Sequence, residues 1–239
     1  MNLSEIRGST SQLTKLRPSL LLTLVRHGQS EGNKQGVIQG QSDYPLSELG
    51  VQQAQTLRAH LDSRGVSFDA VYSSDLSRAR QTADIVAAGL EITNDRRLRE
   101  RNYGKCENKP AADLARAAAA ADLPVAQYVP DGGESQEQVR DRAGEFFKEI
   151  CARHLSDTCT RILVTGHGGC LRELITFLFS TYSGNLKKAD AHKIAPNTGV
   201  TVVHVARKGQ DMDSLTLKFL KIHSDEHLVN VASTAPPEV

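Results

Sequence analysis

No apolar run in this 239-residue sequence approaches the roughly 20 residues that a membrane-spanning helix requires, so no membrane span is expected. Charge of one sign is also missing: 29 Lys and Arg stand against 28 Asp and Glu, a net +1. A chain so balanced has no whole-molecule attraction for nucleic acid or for an acidic membrane. Any anion must be bound by a local cluster. Cysteine is sparse. Cys106, Cys151, Cys159 and Cys170 lack the density and spacing of a disulfide framework and read as reduced thiols of a cytoplasmic protein. Cys151, His154 and Cys159 look like half of a metal site, but no second half follows. Two helix neighbours and a loop cysteine are the simpler reading, and neither a metal nor another cofactor is expected. There is no internal repeat and no secretory signal. Residues 1–19 carry Ser4, Arg7, Ser9, Ser11, Lys15 and Arg17, with Glu5 the only acid. That composition reads as a flexible arm; a transit peptide, and with it mitochondrial association, is the other reading.

What remains is the composition of an ordinary globule, 39% hydrophobic and 24% charged, long enough for one sizeable core. A single domain is expected over 20–223, with an insertion at about 105–132 and a mobile tail over 224–239. "LLLTLV" (Leu20–Val25) is a short continuous apolar run, the mark of a strand buried on both faces. A glycine-rich loop follows. Apolar residues then recur at Val51, Ala54, Leu57 and Leu61, a helical stripe with Ser47 as N-cap. "FDAVYSS" (Phe68–Ser74) reads as a second strand, and Leu76, Ala79, Ala83 and Val86 share a helical face. Residues 91–109 read as irregular, and Ala111–Ala121 as a helix by propensity. Ser135 and Gln138 form a capping box for a helix through Val139, Ala143, Phe146, Phe147 and Ile150. "RILVTGHGG" is a strand running into glycine, followed by a helix with Leu171, Leu174, Ile175 and Leu178. "GVTVVHVARKG" and "SLTLKFLKIHS" alternate like two strands near the sheet edge. This alternation predicts an α/β fold of three layers, a mostly parallel twisted sheet with helices on both faces. Ligands of such sheets bind at the carboxyl edge.

Arg26 and His27 follow the first strand, Asp75 and Arg78 the second, and Gly166, His167, Gly168 and Gly169 the third. Two histidines and two arginines thus gather at one edge, which points to phosphoryl chemistry. Arginine forks match phosphate oxygens bidentately, and glycine-rich helix N-termini add backbone N–H groups. Asn33 adds a neutral donor. A neutral imidazole is nucleophilic near pH 7, so His27 can take the phosphoryl group. His167 can then donate to oxygens gaining charge. Glu100, in "RLRERNYG", is the natural proton donor to the leaving alkoxide if burial raises its pKa. Taken singly, Arg78 could be a solvated helix arginine, and Glu100 could simply pair with Arg97, Arg99 and Arg101. A histidine against glycine at a strand end, occurring twice, is not a core-packing pattern.

The ordered motifs "LVRHGQSEGN", "SSDLSRARQT", "RLRERNYGK", "PDGGES" and "VTGHGG" resemble those of the histidine phosphatase, or phosphoglycerate-mutase-like, superfamily over about residues 20–205. "GNKQGVIQGQSDYPLSELG", "PNTGV" and "DEHL" are similar to its fructose-2,6-bisphosphatase branch. The resemblance implies a phosphohistidine at His27 and Glu100 as proton donor and acceptor. It also implies a phosphate pocket of Arg26, Arg78 and His167, with Asn33, Gln39, Gly40 and Gly168 nearby, and no metal. The substrate would be a small phosphorylated metabolite such as a sugar bisphosphate, and the role regulation of glycolysis. Gln29 stands where the family often has Glu, and Gly166 where it often has Ser. Mutase relatives carry an arginine pair in the insertion, where this chain has Arg116 alone, which favours net hydrolysis over mutase exchange; phosphoglycerate mutase or bisphosphoglycerate phosphatase is the alternative activity. Arg99, Arg101, Tyr103 and Lys105 are candidate contacts for a second phosphate; the basic ones could equally face solvent.

Two rivals stand beside this reading. Gly28-Gln29-Ser30-Glu31-Gly32 matches the Gly-x-Ser-x-Gly elbow of serine hydrolases. In that fold several strands precede the elbow, and 29 residues are too few for them. The basic cluster would also be unexplained. The non-enzyme rival is a pseudophosphatase that binds phosphorylated ligands without turnover.

Overall fold

The computed structural model describes residues 18–155, 159–207, 214–229 and 231. The expected arm lies almost wholly outside these, as does most of the expected tail. Seven strands form one sheet in the order β3-β2-β4-β1-β6-β7-β5. β1 (Ser19–Arg26) pairs in parallel with β4 (Cys159–Gly166), which pairs in parallel with β2 (Ala70–Ser73), and β2 with β3 (Ile92–Asn94). On the other side β6 (Val200–Arg207) runs antiparallel to both β1 and β7 (Leu215–Ser224). The two-residue β5 (Ser183–Gly184) closes the edge beside β7.

The first helix, α1 (Glu31–Gln35), is one short turn inside the expected glycine-rich loop. The helices α2 (Glu48–Ser63) and α3 (Ser77–Val86) cover one face, packing Ala54, Leu57, Ala83 and Val86 on Val25, Val71 and Leu163. The insertion carries α4 (Ala111–Ala120). The other face is covered by α5 (Gln136–His154) and α6 (Gly168–Thr181), whose Phe146, Phe147, Leu174 and Leu178 pack on Leu22, Leu24, Ile162 and Val164. Alternate residues of β1 feed opposite layers, which explains its unbroken apolar run. Each fully buried Leu or Phe contributes roughly 1.5–3 kcal/mol. Ser47 and the Ser135–Gln138 box cap their helices as expected. A four-residue helix, α7 (Lys188–Ala191), precedes β6.

Three expectations need correction. β6 is not an edge strand; it lies against β1 in the middle of the sheet. Alternation alone does not reveal this, because the two-sided burial of β6 fades only toward its last residues. Residues 91–109 are not wholly irregular: they contain β3 and two 3-10 turns, Arg96–Leu98 and Gly104–Cys106. The tail does not begin at 224. Glu226–Leu228 forms a 3-10 turn with His227 and Leu228 buried, and His227 Nε2 lies 2.9 Å from Thr198 Oγ1. Among the described residues, no helix is long and apolar enough to cross a membrane.

Candidate active site

Strand register builds the site. Arg26 is the Cα partner of Gly166, so the residues that follow, His27 and His167, emerge side by side at the carboxyl edge. Their ring centroids are 5.2 Å apart. Ser73 pairs with Thr165 one strand further on, which brings Ser74 Oγ to 2.9 Å from His167 Nε2. Both rings are fully buried. His27 Nδ1 lies 2.6 Å from the Gly28 carbonyl oxygen. A carbonyl only accepts, so Nδ1 carries a proton.

The reversed direction of β6 brings its entry loop, rather than its end, to this edge. Asn197 Nδ2 donates to the His27 carbonyl at 3.0 Å. The Thr198 N–H donates to the Arg26 and His27 carbonyls at 3.0 and 3.3 Å. Thr198 adopts φ 56°, a left-handed conformation uncommon for a β-branched residue, and so holds local strain at the backbone of the candidate nucleophile. Arg26, 1% exposed, donates from Nη1 to the Ala195 carbonyl of the same loop at 2.8 Å. Arg78 enters from the first turn of α3, fully buried, and donates from Nη2 to Gly40 O at 2.7 Å and from Nη1 to Ser42 O at 3.0 Å. It is therefore no solvated helix arginine. A Cβ on Gly168 would come within 2.8 Å of Ile194 and 3.3 Å of the Arg26 guanidinium, so this position admits Arg26 only as glycine.

The Glu100 carboxylate meets backbone donors, while the Arg97 and Arg99 side chains pair with Asp95, Glu149 and Asp75. The carboxylate sits on the N-terminus of α6, accepting from the N–H groups of Gly169 at 2.9 Å and Cys170 at 3.0 Å, and from that of Arg101 at 2.7 Å. Glu100 is 1% exposed.

Arg142 of α5 holds the backbone of this loop. Its Nη1 donates to the carbonyls of Arg97 and Arg99 at 2.6 and 2.7 Å, and its Nη2 to that of Glu100 at 3.0 Å. The remaining two N–H groups bind Glu134 at 2.9 and 3.0 Å, and Glu134 also accepts from the Asn102 N–H at 2.8 Å. Sequence reasoning missed Arg142 and Glu134, as it missed Ser74 and Asn197. Ser74 and Asn197 had a signal, since each adjoins a strand at the functional edge. Arg142 had none, because an arginine amid a polar helix face reads as solvated.

Other expected residues have structural partners. Ser30 is the N-cap of α1; it forms a capping box with Asn33 and donates to Gln39 Oε1 at 2.6 Å. Asn33 thus commits its amide oxygen to that cap rather than to a ligand. Arg99 forks onto Asp75 at 2.7 and 2.6 Å, and this hydrogen-bonded pair holds the Asp75 carboxyl below its ordinary range. Arg101 donates to the carbonyls of Glu134 and Tyr128 at 2.7 and 2.6 Å and lies over the Tyr103 ring, while Tyr103 packs with Ile38, Cys106 and Leu114. Lys105 is exposed and paired with Asp131 at 2.5 Å. Each of these four thus has a partner within the fold. Among the described residues, no group of three or more His, Cys, Asp and Glu is placed to share a metal ion. His154 Nε2 lies 2.7 Å from the Tyr72 hydroxyl, and burial pushes the Cys151 thiol up to about 12.

Buried cations, two histidines, helix N–H groups and a carboxylate can together receive a phosphate dianion, transfer it and move a proton. Known proteins agree with that chemistry. The model of the histidine phosphatase superfamily (branch 1) matches residues 22–218. The chain is 31% identical over 265 aligned positions to fructose-2,6-bisphosphatase TIGAR of Xenopus tropicalis, covering 88% of this chain and 95% of that one. It is 36% identical over 165 positions to phosphoglycerate mutase-like protein 4 of Arabidopsis thaliana, covering 64% and 68%. A mycobacterial glucosyl-3-phosphoglycerate phosphatase superposes with TM-score 0.73 at 27% identity, over 86% of this chain and 99% of that one.

Proposed function

Because the chain belongs to the histidine phosphatase superfamily, we propose that it hydrolyses phosphate monoesters through a phosphohistidine on His27. The observation that carries this reading is the pairing of His27 with His167 at one sheet edge, both rings fully buried and their centroids 5.2 Å apart. Nε2 attacks phosphorus and the ester oxygen leaves with the bonding electron pair. Glu100 supplies the proton to that oxygen. The carboxylate left after transfer then takes a proton from the water that attacks the phosphohistidine. Inorganic phosphate leaves and His27 is regenerated. Arg26, Arg78 and His167 offset the charge on the transferring group. Asn33, Gln39, Gly40 and Gly168 shape the surrounding loops.

Within that class, fructose 2,6-bisphosphate is the substrate we favour, on the strength of the similarity to the Xenopus enzyme over most of both chains. A second phosphate would have to draw Arg99 from Asp75 or Lys105 from Asp131. Arg116, the lone arginine of α4, is exposed and paired with Asp113, which supports hydrolysis over mutase exchange. The test is phosphate release from fructose 2,6-bisphosphate, 2,3-bisphosphoglycerate and phosphoenolpyruvate, with interconversion of 2- and 3-phosphoglycerate assayed in parallel. The reading expects the sugar bisphosphate to have the highest kcat/KM. Efficient interconversion would replace it with a mutase, and no turnover of any ester with a binder.

A further inference from the structure

We infer that Arg142, together with Glu134, is a positioning residue that aims the Glu100 carboxyl at the leaving oxygen. The inference rests on the phosphohistidine reading above. The acid loop has no regular secondary structure at Glu100, yet this residue must be held within a fraction of an ångström to deliver a proton. The chain is gripped on both sides of it. Upstream, and at Glu100 itself, Arg142 binds the carbonyls of Arg97, Arg99 and Glu100. Downstream, Glu134 binds the Asn102 N–H. All five guanidinium N–H groups of Arg142 thereby have an oxygen acceptor. A lysine presents three donors from one point and cannot reproduce this flat, divergent set. The anchor is rigid, because α5 packs along α6, the helix whose first N–H groups receive the Glu100 carboxylate. One guanidinium thus fixes the loop backbone relative to the helix end on which its carboxyl group rests.

A glue residue and a positioning residue differ in what their loss does to proton transfer. The assay is rapid-quench kinetics of Arg142→Lys with para-nitrophenyl phosphate, whose leaving group needs no proton, and with phenyl phosphate, whose leaving group does. The expected result is a burst of phosphohistidine formation within about threefold of the wild type for the nitrophenyl ester. For phenyl phosphate the burst slows by about 100-fold, the cost of a misplacement on the order of 1 Å. Breakdown of the phosphohistidine slows too, because the same carboxylate activates the water. Millimolar guanidinium restores part of the phenyl phosphate rate in Arg142→Gly. An equal loss for both esters, or no loss for either, overturns the inference. If Arg142 variants do not fold, Glu134→Gln takes their place, with the same leaving-group dependence expected and the same result refuting it. A wild type that forms no phosphohistidine overturns the function reading and this inference with it.

Discussion

Replacing Gly169 with alanine places one methyl group against the carboxyl of Glu100, the proposed proton donor, and its effect can be worked from distances. A Cβ at 169 would stand 2.5 Å from Glu100 Oε1 and 3.2 Å from its Cδ. Van der Waals contact requires the carboxylate to retreat by roughly 0.5–1 Å. A free side chain would simply swing away. This one is held by N–H groups of Arg101, Gly169 and Cys170, and the retreat weakens the last two. A hydrogen bond to a charged group contributes about 1.5–3 kcal/mol, so losing both would cost about 3–6 kcal/mol. Water and the retained Arg101 N–H recover part of that, leaving roughly 1–3 kcal/mol. For a chain of this size the loss lowers Tm by about 2–4 °C per kcal/mol. Turnover falls further, by about 100-fold for poor leaving groups, because the proton donor is misplaced. Calorimetry and steady-state kinetics read the two effects. The double variant Gly169→Ala/Glu100→Gln is no slower than Glu100→Gln alone, since the methyl acts only through that carboxyl. Wild-type Tm and kcat in Gly169→Ala, or additive losses in the double variant, would refute the reasoning.

Gly166→Ala offers the contrast. Its Cβ meets the flexible Leu171 side chain at 3.3 Å and the Leu98 carbonyl oxygen at an ordinary 3.7 Å, so replacing a strand glycine raises Tm slightly or leaves it unchanged, with activity retained; a large loss of either contradicts this. Ser30→Ala removes the α1 cap and costs about 1 kcal/mol in urea unfolding, while phosphohistidine formation persists. His227 gives the fold an acid limit. Burial, and next the neighbouring His60, lower its pKa from 6.5 to about 4. The unfolded chain therefore binds the proton first as pH falls, and stability is full above about 6.5 and declines toward about 4. The lowering corresponds to roughly 3–4 kcal/mol over the full range, so urea midpoints should fall between pH 7 and 5, and by less in His227→Gln.

Local patterns were the legible part of this molecule. The stripes of α2, α3, α5 and α6 point inward as their spacing requires, and both serine caps hold. Arg26, His27 and His167 could be singled out because each stands at the end of a strand, and Arg78 because it opens the helix after one; a parallel sheet brings such ends together. The place of β6 was not legible, because alternating residues do not tell which neighbour a strand will choose. Asn197 and Thr198 were missed with it. The environment of Glu100 was obscured for a related reason: the helix that receives its carboxylate begins some 69 residues further along the chain, a distance no local pattern spans. Ser30, a literal motif match, turned out to be a helix cap bonded to Asn33 and Gln39.

The central claim is that His27 carries the phosphoryl group. Incubation with a phosphate ester, an alkaline quench and peptide mass spectrometry locate the modification directly. The account predicts an acid-labile, base-stable phosphoryl group on His27 in the wild type and in Ser30→Ala, and neither modification nor turnover in His27→Ala. Hydrolysis that persists in His27→Ala but stops in Ser30→Ala would contradict it.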